Sequence, residues 1–158
     1  MFARVHSQVI SILRQELDSL VRVVYLLSVR DHAKRARIMT SLVEAGQWKD
    51  AGKRITDREM VDLADTLHGW TKSVYRFGCA YIHLSNMHDH SEHDPLSCLS
   101  EAEKADILRH MRAYHGGPHC DDCTMADLVP YLPAVFDKIA GNLECYVAAL
   151  EKGRGLED

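Results

Sequence analysis

Arg76 and His83 stand seven residues apart in the stretch Tyr75-Arg76-Phe77-Gly78-Cys79-Ala80-Tyr81-Ile82-His83, whose surroundings carry helical apolar spacing. Seven steps of about 100° bring the two side chains within roughly 20° of each other, two turns apart on one helix face. A guanidinium that keeps its charge at any working pH, set beside an imidazole that titrates near neutrality, joins an anion holder to a proton carrier. Met60, Leu63, Leu67, Trp70, Val74, Gly78 and Tyr81 form the opposite, core-facing stripe. Gly69 and Ala80 share the polar face, with Lys72 and Asp65 flanking it. Small residues there describe a groove that a ligand or second helix can approach closely.

Two other clusters hold metal-ligating residue types. His88-Asp89-His90-Ser91-Glu92-His93-Asp94 alternates imidazoles with carboxylates, and both bind divalent ions. Its position before Pro95 reads as an exposed polar loop, without the rigid support that fixes metal ligands. His88, His90 and His93 are therefore ligand candidates set against a plain loop. The stretch also gives an alternative reading of the chain as a metal-dependent helical hydrolase using residues 88–94. Cys120-Asp121-Asp122-Cys123 has the spacing with which two thiolates grip one zinc, and His115 and His119 lie just before it. With no second such pair, and with two aspartates raising the thiol pKa values, an ordinary reduced loop is the preferred reading.

These residues need elements to position them. Apolar residues recurring at three- and four-residue steps (Val9, Leu13, Leu17, Leu20, Val24, Leu27) predict a long helix from about Val5 to Val29. A shorter helix follows from about Asp31 to Ala45, stopped by Gly46, and residues 47–55 read as a loop with Trp48 folded onto the core. Thr56-Asp57-Arg58-Glu59 is a capping box opening a third helix that runs to about Asn86 and carries the Arg76/His83 pair. Ser100-Glu101-Ala102-Glu103 is a second box, opening a helix to about Tyr114 that His115-Gly116-Gly117-Pro118 ends. After a turn near Met125 to Val129, Pro133 starts a last helix over Ala134 to Leu150. No segment alternates with period two for long enough to build a sheet. The expectation is all-α: an antiparallel up-and-down bundle of about five helices, one domain over 1–152 with a frayed tail at 153–158.

Composition narrows the function. The start of the chain is interrupted by Arg4, His6, Gln8 and Glu16, and its most apolar run, Val21 to Val29, is too short to span a bilayer, so a cytoplasmic protein is expected. Five cysteines make no disulfide framework. The overall charge of −4 argues against wholesale coating of nucleic acid, yet residues 1–58 carry +5 and residues 59–158 carry −9. Arg30, Lys34, Arg35, Arg37, Lys49, Lys53 and Arg54 are the local basic set, either facing a polyanion or forming a solvated helix face.

An arginine and a histidine separated by six residues on one helix, in an all-helical chain of this size, resemble the HEPN superfamily, whose signature is an arginine, four to six residues and a histidine. The resemblance implies a metal-independent endoribonuclease without a cofactor. It further implies a homodimer in which the motif helices line one cleft, with Arg76 and His83 as catalytic residues. Lys72, Ser85, Asn86 and His88 are secondary candidates for positioning RNA. Toxin–antitoxin or defence systems are frequent settings of the family, so an antitoxin or regulatory protein is an implied partner. The competing reading is a non-catalytic module of the same shape that binds nucleotide, RNA or a protein through the groove.

Overall fold

Side-chain oxygens start three of the described helices, and left-handed glycines stop the same three. A computed structural model describes residues 2–84 and 94–156. Helix α1 spans Phe2–Ser28. Asp31 then accepts hydrogen bonds from the amides of Ala33 (2.8 Å) and Lys34 (3.2 Å), opening α2 over His32–Ala45. Gly46 closes it at φ +62°. Both capping boxes form as the sequence predicts: Thr56 and Glu59 open α3 (Asp57–His68), and Ser100 and Glu103 open α5 (Glu101–His115). The last long helix, named α7 below, covers Leu132–Glu151.

The expected third helix is two helices. Gly69 takes φ +68° and donates its amide to the carbonyl of Asp65 at 2.8 Å, which terminates α3. The chain restarts at Trp70, and α4 runs over Thr71–Leu84. Gly69 is thus a helix stop, and not a small residue on the polar face of one long helix. The split raises the expected five helices to six of 12 residues or more among the described residues. The expected turn near Met125 is a short helix, α6, over Met125–Leu128.

The loop expected at 47–55 is a small antiparallel hairpin, β1 (Lys49–Asp50) paired with β2 (Lys53–Arg54). Ala51 at φ +48° and Gly52 at φ +82° supply the two left-handed positions that a two-residue hairpin turn requires. These are the only strands among the described residues, and the chain is otherwise helices and connections. No helix among them is long and apolar enough to cross a membrane.

Contacts group the chain into two compact units. The first comprises Met1–Leu17 and Trp70–Ala140. Its core draws Ile10, Leu13 and Leu17 from α1, Ile107, Leu108 and Met111 from α5, and Leu132, Val135 and Ile139 from α7, each set at helical three- and four-residue spacing. Within it α4 lies against α5 and against a 3₁₀ turn at Pro95–Cys98. Arg112 fastens the connection after α5 by donating to the carbonyls of Pro118 (2.8 Å) and Cys120 (2.6 Å).

The second unit comprises Asp18–Gly69 and Gly141–Asp158. Leu20, Val21, Val24 and Leu27 of α1 are buried there with Ile38 of α2 and Met60, Val61 and Ala64 of α3. Beyond Gly153, Arg154 and Leu156 are hydrogen-bonded. Buried Arg35 donates to the carbonyls of Val29 (2.9 Å) and Arg154 (3.1 Å), and the Leu156 amide donates to the Leu27 carbonyl at 3.3 Å. One guanidinium thereby ties the start of α2 to the end of the chain, a link of 119 residues that no local pattern announces.

Candidate functional site

Arg76 and position 83 both fall on α4, which runs unbroken between them. Arg76 is exposed in the middle of the helix. The His83 side chain lies outside the described residues, as do Ser85, Asn86, His88, His90 and His93. Lys72 is half-buried in the first turn of α4. Glu103 of α5 is the acid that senses Arg76. Its carboxyl is held below the usual range first by the Ser100 hydroxyl and amide, and then by the Arg76 charge.

Of the two candidate metal clusters, residues 88–93 of the first lie outside the described residues. Asp94, the last carboxylate of the histidine-rich stretch, is engaged with backbone. It accepts from the Leu96 amide (3.1 Å) and from the Met125 amide (3.0 Å), so it caps the 3₁₀ turn and anchors the start of α6. Cys120 and Cys123 are joined in a disulfide, which corrects the expected reduced loop and removes the pair of thiolates that a zinc clip would use. The two-residue spacing that suits a metal also brings the Cα atoms to 5.3 Å, inside disulfide range. His119 is exposed nearby, whereas His115 closes α5 and turns toward a cleft. Among the described residues no three His, Cys, Asp or Glu side chains converge as metal ligands would.

That cleft belongs wholly to the first unit and is the richest chemical environment described in the chain. One face of α5 lines it through Ile107, His110, Met111, Tyr114 and His115, which follow the three- and four-residue steps of a single helical stripe. Trp70, Ser73 and Val74 line it from the start of α4, and Leu132, Val135 and Lys138 from α7. Leu13 and Leu128 complete the walls. The space is narrow, about 40 Å³, and opens at its mouth to solvent.

At one edge the Ser73 hydroxyl bridges two residues of α5. It contacts the Asp106 carboxylate and lies 2.8 Å from Nδ1 of His110. A carboxylate only accepts and a hydroxyl has one proton, so Ser73 donates to Asp106 and accepts from the Nδ1–H of His110. In its neutral form, His110 therefore keeps Nε2 as the basic nitrogen. Burial alone would raise the Asp106 carboxyl. Hydrogen bonds from Ser73 and Arg109, with the charges of His110 and Arg109, outweigh burial and hold the carboxyl below its ordinary range.

At the other edge Lys138 places Nζ 3.2 Å from the centre of the Tyr114 ring and 5.2 Å from that of Trp70. The ammonium is stabilised by ring faces. Burial lowers its pKa, and the pKa of His115 is lowered by burial first and by the Lys138 charge second.

Neither protein-family models, curated proteins nor solved structures match this chain. Its chemistry is accordingly argued from its own residues. Sequence reasoning missed Ser73, Asp106, His110 and Lys138. The partial signals were Asp106 and His110 four residues apart on a capped helix, and a lysine three residues after Val135 on the apolar stripe of α7.

Proposed function

We propose that this protein is a metal-independent endoribonuclease of HEPN type, a helical bundle acting through Arg76 and His83 as a homodimer. The observation that carries the reading is the course of α4. The chain breaks at Gly69, before the motif, and then runs as one helix from Thr71 to Leu84 with Arg76 exposed. The seven-residue offset therefore operates on a single regular helix, which keeps the two positions on one face about 10 Å apart along the axis.

In this reading the His83 imidazole accepts the proton of a ribose 2′-hydroxyl as the 2′-oxygen attacks the adjacent phosphorus. The bond from phosphorus to the 5′-oxygen breaks, and the leaving oxygen takes a proton from the imidazolium of the second protomer. Arg76 holds the phosphoryl oxygens through paired N–H donors and stabilises the charge that builds on them. The products are a 2′,3′-cyclic phosphate and a 5′-hydroxyl. Glu103, close to Arg76, competes with phosphate for the guanidinium and favours its release after cleavage.

The test is cleavage of labelled RNAs in EDTA by the wild-type protein, His83→Ala and Arg76→Ala, with the product ends identified. Cyclic phosphate ends are expected from wild type, with at least about a 100-fold lower rate in each variant. Cleavage that needs a divalent metal, or that persists in His83→Ala, overturns the reading.

A further inference from the structure

The cleft of the first unit has walls and charge that call for a particular kind of guest. Seven aliphatic or thioether side chains line it, with Trp70 and Tyr114 at one side, and no Asp or Glu is among its lining residues. Asp106, the nearest acid on α5, is turned to Ser73 and Arg109. Among the described residues Lys138 has no carboxylate within salt-bridge distance and rests on two aromatic rings. A half-buried ammonium with ring faces beside it and no acid opposite is one charge short of neutrality.

We propose that this cleft binds a slim organic monocarboxylate, its alkyl body lying between α5 and α7 and its carboxylate paired with Lys138. The apolar lining supplies the binding free energy of the body as its methylenes leave water. Lys138 supplies the head-group selection. The Trp70 and Tyr114 rings keep the ammonium in the cleft before the ligand arrives, so little ordering is needed on binding. His115 adds a ring N–H donor near the same space, while the Nδ1–H of His110 is committed to Ser73. A monoanion fits this set better than a phosphate dianion, which takes several fixed donors or a second cation. None of the residues used for RNA cleavage takes part, so the two proposals stand or fall separately.

The experiment is calorimetric titration of the full chain with octanoate, octanol and octylammonium at equal ionic strength. Octanoate is expected to bind at least tenfold more tightly than octanol, and octylammonium more weakly than either. Lys138→Met should bring octanoate to the affinity of octanol while leaving octanol unchanged, and Lys138→Arg should retain the preference for the acid. If Lys138→Met fails to fold, the site is read in the wild-type protein. Octanoate should shift the NMR signals of the Trp70 indole and of the His110 and His115 rings before others. Equal binding of octanoate and octanol, unchanged octanoate affinity in a folded Lys138→Met, shifts centred elsewhere, or no binding at millimolar octanoate each overturn the proposal.

Discussion

In the second unit cations meet acids: Lys34 and Arg37 both approach Asp50, at 3.4 and 3.5 Å, Arg22 lies 3.5 Å from Asp57, and Lys53 lies 3.8 Å from Glu59. In the first unit Lys138 meets Tyr114 and Trp70. The contrast does not follow from net charge: the first unit carries −3 and the second −1, and the excess of positive charge belongs to residues 1–58, which run through parts of both. The basic segment, which on sequence grounds is a candidate polyanion surface, directs several of its cations onto its own carboxylates and carbonyls. The acidic segment holds the lysine whose described surroundings leave room for an anion. What a charge can do is set by the groups packed around it, and net charge does not report that.

The comparison breaks most visibly at Arg35. Its guanidinium serves two backbone carbonyls from a buried position, so Arg35→Ala leaves both acceptors without that donor and should cost about 2–3 kcal/mol. Arg35→Met keeps the packing of the stem and should cost less. Urea denaturation measures both, and a loss below about 0.5 kcal/mol for alanine would mean that the buried arginine contributes no net anchoring.

A smaller effect is expected at Ser73, whose hydroxyl joins His110 to Asp106 in the first unit. Ser73→Ala should destabilise by about 1–2 kcal/mol at neutral pH. The sign of its pH dependence follows from Asp106, whose folded pKa lies below the ordinary 3.8. The stability linked to that carboxylate is present above pH 3.8 and is lost as pH falls through the folded pKa, so wild type and variant should converge under strong acid. His115 acts in a different window. Its folded pKa is below the ordinary 6.5, so the unfolded chain takes up the proton first and stability declines as pH falls from 6.5 toward the folded value. Lys138→Met removes one of the two lowering causes and should flatten that decline. A stability profile between pH 5 and 7 that is the same in both proteins would remove Lys138 from the electrostatics of His115.

Much of the scaffold was legible because it is local. Asp31, Thr56 and Ser100 announce helix starts through bonds that span two or three residues, and Gly46 announces a stop. Gly69 misled because a helical wheel assigns glycine to a face, whereas its left-handed φ depends on the chain turning at that point. The stripe of α5 that lines the cleft was readable as a stripe, but its bond from His110 to Ser73 spans 37 residues and needs the packing of α4 on α5. Cys120 and Cys123 show the same limit in chemical form, since one spacing serves a metal clip and a disulfide equally well. The motif pair was legible as a register on α4. Neither the register nor composition could indicate that Glu103, 27 residues after Arg76, would come close enough to feel its charge.

The finest test of the comparison is Asp50→Asn, which leaves Lys34 and Arg37 facing an uncharged amide. Both cations are partly exposed, with side chains 39% and 56% accessible, so water already screens the pairs. The expected loss of stability is about 0.5–1 kcal/mol at low ionic strength, shrinking toward zero in about 1 M salt. The charge readout should be clearer than the stability readout. Two cations no longer held by Asp50 should raise the salt concentration needed to elute the protein from heparin, while Lys138→Met, which removes a cation from a narrow cleft that a polysaccharide does not enter, should leave elution nearly unchanged. If the two variants shift elution equally, or if Asp50→Asn leaves it where it was, then internal pairing does not govern which of these cations meets a polyanion, and the cations of residues 1–58 are already as available as their charge count implies.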